Sequence, residues 1–186
     1  AVRPGGVDTD AGSIAASSVV VACEGPAAAA LLGLEPVGSK TAGAVWFSAP
    51  AAPADDRLVF LDGDGGAALN VAIMSNVAPA YAPPGRATVV AAMPGLIEGD
   101  LEGLARRTLR TWWGGQVDAW DVVAVHRIPH GQPDRGVPLH PKLPVQLTDG
   151  LYVCGDHRDT ASIQGAMSSG RRCAEAILAA QAATPA

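Results

Sequence analysis

Leu151-Tyr-Val-Cys-Gly-Asp156, followed by Ser162-Ile-Gln-Gly-Ala166 and Ser169-Gly-Arg171, is the most informative stretch of this chain. Leu151 to Cys154 is a short apolar run between Asp149-Gly150 and Gly155-Asp156, the pattern of a buried strand between two turns. From there, apolar or small residues fall at Ile163, Ala166, Met167, Gly170, Ala174, Ile177 and Leu178, a helical period that predicts one buried stripe. Ser162 or Thr160 caps that helix, and Gly165 and Gly170 remove side chains where another backbone or a flat ligand comes close. The first amides of such a helix have no partner within it, and its dipole adds positive charge at that end. They therefore suit an electron-rich oxygen. The same strand, acidic turn and helix also fit the end of an ordinary α/β domain.

Composition narrows the class. The 186 residues are 48% hydrophobic and 17% charged, enough apolar side chain for a buried core. The formal net charge is −5, and the 13 basic residues form no cluster beyond pairs such as Arg106-Arg107 and Arg171-Arg172, which excludes nucleic acid as a partner class. No run approaches the roughly 20 apolar residues of a membrane span, and no basic segment followed by an apolar stretch opens the chain. Cys23, Cys154 and Cys173 are odd in number and widely spaced, so reduced, buried thiols in a cytoplasmic protein are expected. No cysteine pair has the short spacing of a zinc cage, and no metal is predicted.

Val7 to Ile14 reads as a hairpin turning at Asp10-Ala-Gly12, residues 16–22 as an apolar strand, and Gly25 to Leu32 as a short helix closed by Gly33. Thr41 to Ser48, Arg57 to Leu61, Ala67 to Ser75 and Thr88 to Ala92 read as strands of an antiparallel sheet. Asp62-Gly-Asp-Gly-Gly66 lacks phosphate-loop spacing and is a hairpin turn, and the proline-rich Ala78 to Gly85 is an ordered loop. From Asp100 a helix places Leu101, Leu104, Ala105, Thr108, Leu109 and Trp112 on one face and ends at Gly114-Gly115. Trp112 and Trp113 are read as core or domain-contact residues rather than a cofactor box. Val117 to Ile128 is read as the last strand of the sheet. His126 and His130 stand four apart, but Pro129 opposes a helix there and no third ligand lies nearby, so a solvated or hydrogen-bonded histidine is the better reading of each.

The Leu151–Arg171 block resembles the C-terminal flavin-binding segment of the amine oxidase and phytoene desaturase superfamily of FAD-dependent oxidoreductases. Asp10-Ala-Gly-Ser-Ile14 followed by Val19-Val-Val-Ala22 is similar to a pattern that this family places between its dinucleotide-binding half and its substrate region. The family's glycine-rich Gly-x-Gly-x-x-Gly loop does not occur here. The resemblance implies the C-terminal half of a larger flavoprotein, of mixed α/β and α+β class. Residues 1–40 would be a partial FAD-domain hairpin, strand and short helix, and 41–128 a substrate domain with an antiparallel sheet and one helix. Residues 129–186 would be a return segment and the FAD-binding strand-turn-helix.

The same resemblance implies FAD as cofactor. Gly155 and Asp156 would approach its ribityl and pyrophosphate part, with the Asp156 carboxylate accepting from a sugar hydroxyl. Behind the Ser162 cap, Ile163, Gln164 and Gly165 would offer amides to the flavin ring, while Ala166 and Ser169-Gly170 let the helix pack below it. His126-Arg-Ile-Pro-His130, Gly136-Val-Pro-Leu-His140 and Lys142-Leu-Pro144 would pass the flavin. The implied reaction is hydride removal from a C–N or C–C bond to flavin, with no catalytic residue named, because the cofactor carries the hard chemistry. Expected partners are the N-terminal half of the same flavoprotein, in the same or a separate chain, and a small-molecule substrate. An apolar substrate agrees with low polarity around Trp46, Phe47, Tyr81 and Trp113. Without the adenosine-holding half, FAD would bind weakly. Two alternatives stand beside this reading: a noncatalytic partner or apolar-ligand binding module, and an isomerase or desaturase that uses FAD without oxidase activity.

Overall fold

From Gly43 to Ala49 every second residue is buried, and this alternation builds the larger sheet of the protein. The structure, a computed structural model, describes residues 1–68, 70–136 and 142–183. The chain divides into two units, Ala1–Ser39 with Gln132–Ala186, and Lys40–Gly131. In chain order the strands are β1 Val2–Arg3, β2 Gly6–Thr9, β3 Gly12–Ala15, β4 Val19–Val21, β5 Gly38–Ala49, β6 Val59–Leu61, β7 Asn70–Ile73, β8 Ala87–Pro94, β9 Asp121–Asp134, β10 Gln146–Thr148 and β11 Leu151–Val153. The helices are α1 Gly25–Leu32, α2 Met74–Val77, α3 Leu101–Trp113 and α4 Ile163–Ala183.

In the Lys40–Gly131 unit the strand order is β6-β7-β8-β5-β9, and β5 to β8, β6 to β7 and β7 to β8 pair antiparallel. One sheet face carries Val45, Phe47, Val71, Ile73, Val89, Ala91 and Met93, which pack with Leu101, Ala105 and Leu109 of α3. α3 forms as its sequence dictates. The Asp100 carboxylate accepts from the Gly103 amide at 2.9 Å, and Gly114, at φ 64°, ends the helix. Phe60, Trp112, Trp113 and Trp120 make an aromatic cluster beside this core, with Trp113 edge-on to Phe60 at 5.5 Å. The expected strand from Val117 begins later. Gly114–Ala119 is a 3-10 turn with Val117 buried, because Arg106 donates to the Val117 and Trp120 carbonyls at 2.6 and 2.8 Å and holds the chain out of the sheet. His126 and His130 are exposed on β9, and among the described residues no group of three metal-ligating side chains forms.

In the other unit β1, β2 and β3 form an antiparallel meander, with the hairpin turning at residues 10–11. β10, β11 and β4 form a second small sheet, in which β11 and β4 run parallel with Val20 opposite Tyr152. α4 covers the face bearing Tyr152 and Cys154 through Cys173, Ala176 and Ile177, and Ala28 of α1 packs on Val21 and Val153 behind it. All three cysteines are free thiols; Cys154 and Cys173 are buried and Cys23 is half-buried. Burial pushes the Cys173 thiol up to about 11, with Cys154 beside it adding to the rise.

The predicted buried stripe of α4 is corrected by the structure. The residues that face inward are Gly165, Ser169 and Cys173, whereas Ile163, Met167 and Leu178 are exposed. Gly170 meets no neighbour, so no close approach there explains it within the described residues. Small residues on one flank and apolar ones on the other give the same sequence period, and the hydroxyl of Ser169 decides which flank turns in. No described helix is long and apolar enough to cross a membrane.

Candidate functional site

The parallel strands β4 and β11 end side by side, with the Cys154 amide donating to the Val21 carbonyl at 3.0 Å. Their two following turns, Cys23-Glu24 and Gly155-Asp156, therefore sit together at the carboxyl end of the sheet, where α/β proteins receive ligands. Gly155 has φ 150°, and a Cβ there would stand 2.5 Å from both Nδ1 and Cε1 of His157. Gly25, at the start of α1, is close-packed in the same way: its Cβ would meet Val37 Cγ1 at 2.7 Å and His157 Cβ at 3.1 Å. Two glycines thus make room for one buried imidazole. Ser169 ties the turn to α4, since its Oγ accepts from the Gly155 amide at 2.9 Å and lies 2.8 Å from the Gly155 carbonyl.

The segment after the turn is held by arginines. Arg135 donates to the carbonyls of His157 and Asp159, both at 2.7 Å; Arg158 donates to the Pro144 carbonyl; Arg172 donates to those of Leu143 and Arg158 at 3.0 and 2.9 Å. Arg172 also pairs with the buried Asp159 carboxylate at 3.1 Å, which accepts further from Ser168 and the Thr160 amide. Burial opposes ionisation of Asp159, yet these three hydrogen bonds and the charge of Arg172 outweigh it and hold its carboxyl below the usual range. Burial, with the charges of Arg135 and Arg172, draws Arg158 down from its ordinary value.

His157 is 3% exposed and neither ring nitrogen has a partner among the described residues. Burial, then the positive Arg158 and Arg135, lower its pKa, with Asp156 opposing in part, so the ring is neutral in the folded chain. Because the unfolded chain then binds a proton that the folded chain refuses, stability is full above the ordinary histidine pKa of about 6.5 and falls as pH drops below it. Thermal melting should therefore decline as pH falls below about 6.5, and His157→Gln should flatten that slope. An unchanged slope in the variant would refute the assignment. Asp159 adds a separate loss below its ordinary carboxylate range.

At the opening of α4 the Ser162 hydroxyl accepts from the Gly165 amide at 3.0 Å, which makes Ser162 the cap. A Cβ on Gly165 would fall far inside contact distance of the Thr160 carbonyl, so glycine there lets the loop cross the helix start. Ala166 donates to the Ser162 carbonyl at 3.0 Å and is already inside the helix. The amides of Ile163 and Gln164 have no partner among the described residues, and both residues are exposed. The half-buried Asp156 likewise accepts no side-chain hydrogen bond there. The 156–158 turn packs against α4. The expected contribution of Gly136 to His140 falls largely on residues 137–141, outside the described residues.

His157, Asp159 and the three arginines escaped the sequence reading as parts of the site, and Ser169 entered it only for close helix packing, not for its hydrogen bonds to Gly155. Ser169 stood in the quoted motif, but Arg135, Arg158 and Arg172 act over long sequence separations that no local spacing reveals.

Two parallel strands, the second ending in a Gly-Asp turn, then a helix with leading amides free among the described residues, define an α/β unit of the kind that holds an anionic or oxygen-rich cofactor. The sequence matches the flavin containing amine oxidoreductase family over residues 3–178, and the chain belongs to that family. An oxidoreductase from Methanosarcina mazei has a similar fold, with TM-score 0.64 and 16% identity over 92% of this chain and 46% of its own. Iminodiacetate oxidase from Chelativorans sp. BNC1 follows at TM-score 0.55 and 17% identity, over 91% of this chain and 45% of its own. A halogenase solved with phloroglucinol and FAD reaches TM-score 0.55 at 9% identity, over 98% of this chain and 41% of its own. The chain thus spans less than half the length of each of these structures. No curated protein matches the sequence.

Proposed function

We propose that this chain supplies the C-terminal, flavin-facing part of an FAD-dependent oxidoreductase that takes a hydride from an organic, apolar substrate. The observation that carries the reading is that, among the described residues, the Ile163 and Gln164 amides at the start of α4 and the Asp156 carboxylate in the turn packed against α4 have no hydrogen-bond partner. A flavin ring edge offers acceptor oxygens, and its sugar chain offers hydroxyl donors. The residues present therefore fit the group: two donors aimed outward from a helix start, and one acceptor at the neighbouring turn.

Asp156 would hold a sugar hydroxyl, and the closely packed Gly155 would let the backbone approach the chain of the cofactor. Ser162 keeps the helix start open by capping the Gly165 amide itself, leaving Ile163 and Gln164 for the ligand, with Ala166 behind them. The dipole of α4 would favour negative charge on the group bound there. The chemistry that FAD supplies when bound is acceptance of a hydride from a C–N or C–C bond. No residue of this chain is assigned as a catalytic acid or base.

For the substrate side, support comes from the Lys40–Gly131 unit. A cavity of about 540 Å³ is lined by Trp46, Met74, Tyr81, Pro83 and Val123, with Ser48 and Thr88 as its polar groups. The Ser48 hydroxyl is already engaged by Arg86 at 2.9 Å, and Thr88 donates to the Tyr81 carbonyl at 2.6 Å. An occupant of this cavity would be mainly apolar. Of the aromatic residues singled out in the sequence, Trp46 and Tyr81 line it, whereas Phe47 and Trp113 belong to the core.

The test is to produce the chain together with a polypeptide carrying the nucleotide-binding half and to look for visible flavin absorption in the purified complex. Asp156→Asn should then weaken FAD retention about tenfold, through loss of a hydrogen bond to a charged acceptor. A complex that forms but stays colourless would favour the noncatalytic binding module instead.

A further inference from the structure

We propose that a polar hollow at the amino ends of the parallel strands β4 and β11, bordered by the last described turn of α4, is a binding site for a protonated amino polyol. Gly155 and Asp156 follow the opposite, carboxyl end of β11, so the hollow is separate from the flavin-facing residues. Its volume is about 440 Å³, within the range of small-molecule sites. The hydrogen-bonding side chains that line it are Ser17, Ser18, Gln146, Asp149, Tyr152 and Gln181.

The fold brings these six together from four places in the sequence. The Val19 amide donates to the Gly150 carbonyl at 2.8 Å, which ties the turn before β11 to the entry of β4. Gly150 has φ 73°, and a Cβ there would stand 3.0 Å from the Ser17 carbonyl, so only glycine lets the turn lie this close. Asp149 is thereby held on the same side as Ser17 and Ser18. Gln146 of β10 is in register with Tyr152 of β11, so their side chains share one face of the sheet. α4 crosses that face through Cys173, Ala176 and Ile177, and Gln181 follows one turn after Ile177.

Tyr152 is the observation that points to a ligand. Its side chain is 1% exposed, yet its hydroxyl makes no hydrogen bond among the described residues. The buried side-chain atoms sealed away without a partner belong to His157 and Arg172, and the Tyr152 oxygen is not one of them. What surface Tyr152 keeps is therefore its hydroxyl, and it opens into the hollow. A phenol buried to its oxygen and left without a protein partner calls for one from outside. The other five side chains are likewise without a hydrogen bond or ion pair among the described residues. The cavity of the Lys40–Gly131 unit differs, since its Ser48 and Thr88 hydroxyls are already engaged.

Charge and hydrogen-bonding capacity set the class of ligand. Asp149 is the one charged side chain among the described lining residues, and no lysine, arginine or histidine accompanies it. The last turn of α4 carries no basic residue, so the helix dipole adds negative charge on the same side. An anion is disfavoured here, and an ammonium group is favoured beside the Asp149 carboxylate. Two amides, two serine hydroxyls and the phenol can each both donate and accept, which matches the hydroxyl groups of a polyol.

The test is calorimetric titration of the chain in phosphate buffer at pH 7 with glucamine, and with sorbitol, which carries a hydroxyl where glucamine carries its ammonium. Glucamine should bind about tenfold more tightly than sorbitol. Asp149→Asn should remove that preference, while Asp64→Asn, an exposed carboxylate of the other unit, should leave it intact. Tyr152→Phe should weaken glucamine about fivefold and leave thermal melting unchanged, because the hydroxyl it removes has no partner in the fold. Absence of glucamine binding overturns the proposal. Equal affinity for sorbitol overturns the cationic class, and an equal loss in Asp64→Asn would trace the preference to net charge and overturn the site. A fall in melting of Tyr152→Phe would show the phenol bonded within the fold and remove the observation on which the site stands.

Discussion

Gly155→Ala should destabilise the chain by about 3 kcal/mol or more, from two causes of about 1–3 kcal/mol each: a backbone conformation that only glycine adopts readily, and overpacking against the His157 ring. The new methyl would stand 2.5 Å from Nδ1 and Cε1 of the His157 ring, whose side chain is 3% exposed and whose Cβ lies against Gly25. The Gly155 amide bond to Ser169 would be displaced with it, and so would the attachment of the turn to α4. Adding His157→Ala should restore the overpacking part and leave the backbone part, so the double variant melts between the single variant and the wild type. Equal melting of Gly155→Ala and wild type in urea or on heating would show that the turn is not held as described. Flavin retention should fall in the single variant even where the chain remains folded, since Asp156 follows directly.

The second large effect is expected at Phe47→Ala, with a loss of about 3–5 kcal/mol. Phe47 is fully buried, meets Trp120 edge-on at 5.9 Å and carries the Arg106 guanidinium 5.0 Å above its ring. Arg106 in turn holds the Val117 and Trp120 carbonyls, so the cavity left by the ring would loosen the 3-10 turn as well as the sheet. Trp46→Ala, one residue earlier and on the opposite face of β5, is the contrast: it should change stability far less and reduce binding of an apolar ligand in the neighbouring cavity. If the two substitutions destabilise equally, the division of β5 into a core face and a cavity face is wrong.

Adjacent aromatic residues with opposite fates show where sequence reading succeeds and where it stops. Alternation along β5 is a local property, so the strand was legible, as were α1 with its closing Gly33, the β2–β3 hairpin and α3 with its Asp100 cap. Which face of a strand becomes core depends on what packs against it, and that was not legible for Trp46 and Phe47. Val117 was read as strand because its apolar character matches one; Arg106, eleven residues earlier, draws its carbonyl into a 3-10 turn instead.

In the Leu151–Arg171 block, sequence alone determined the order of strand, Gly-Asp turn, capped helix and glycine-rich first turn, because each of these is set by backbone conformation and short-range hydrogen bonding. Only tertiary structure decided which flank of α4 is buried, that His157 is sealed beneath Gly155, and that three distant arginines hold the loop between them. The physical reason is that a side chain's burial and charge state depend on neighbours brought together by folding. Residues such as Arg135 and Asp159, or Cys154 and Cys173, carry no mark of one another until the chain has folded.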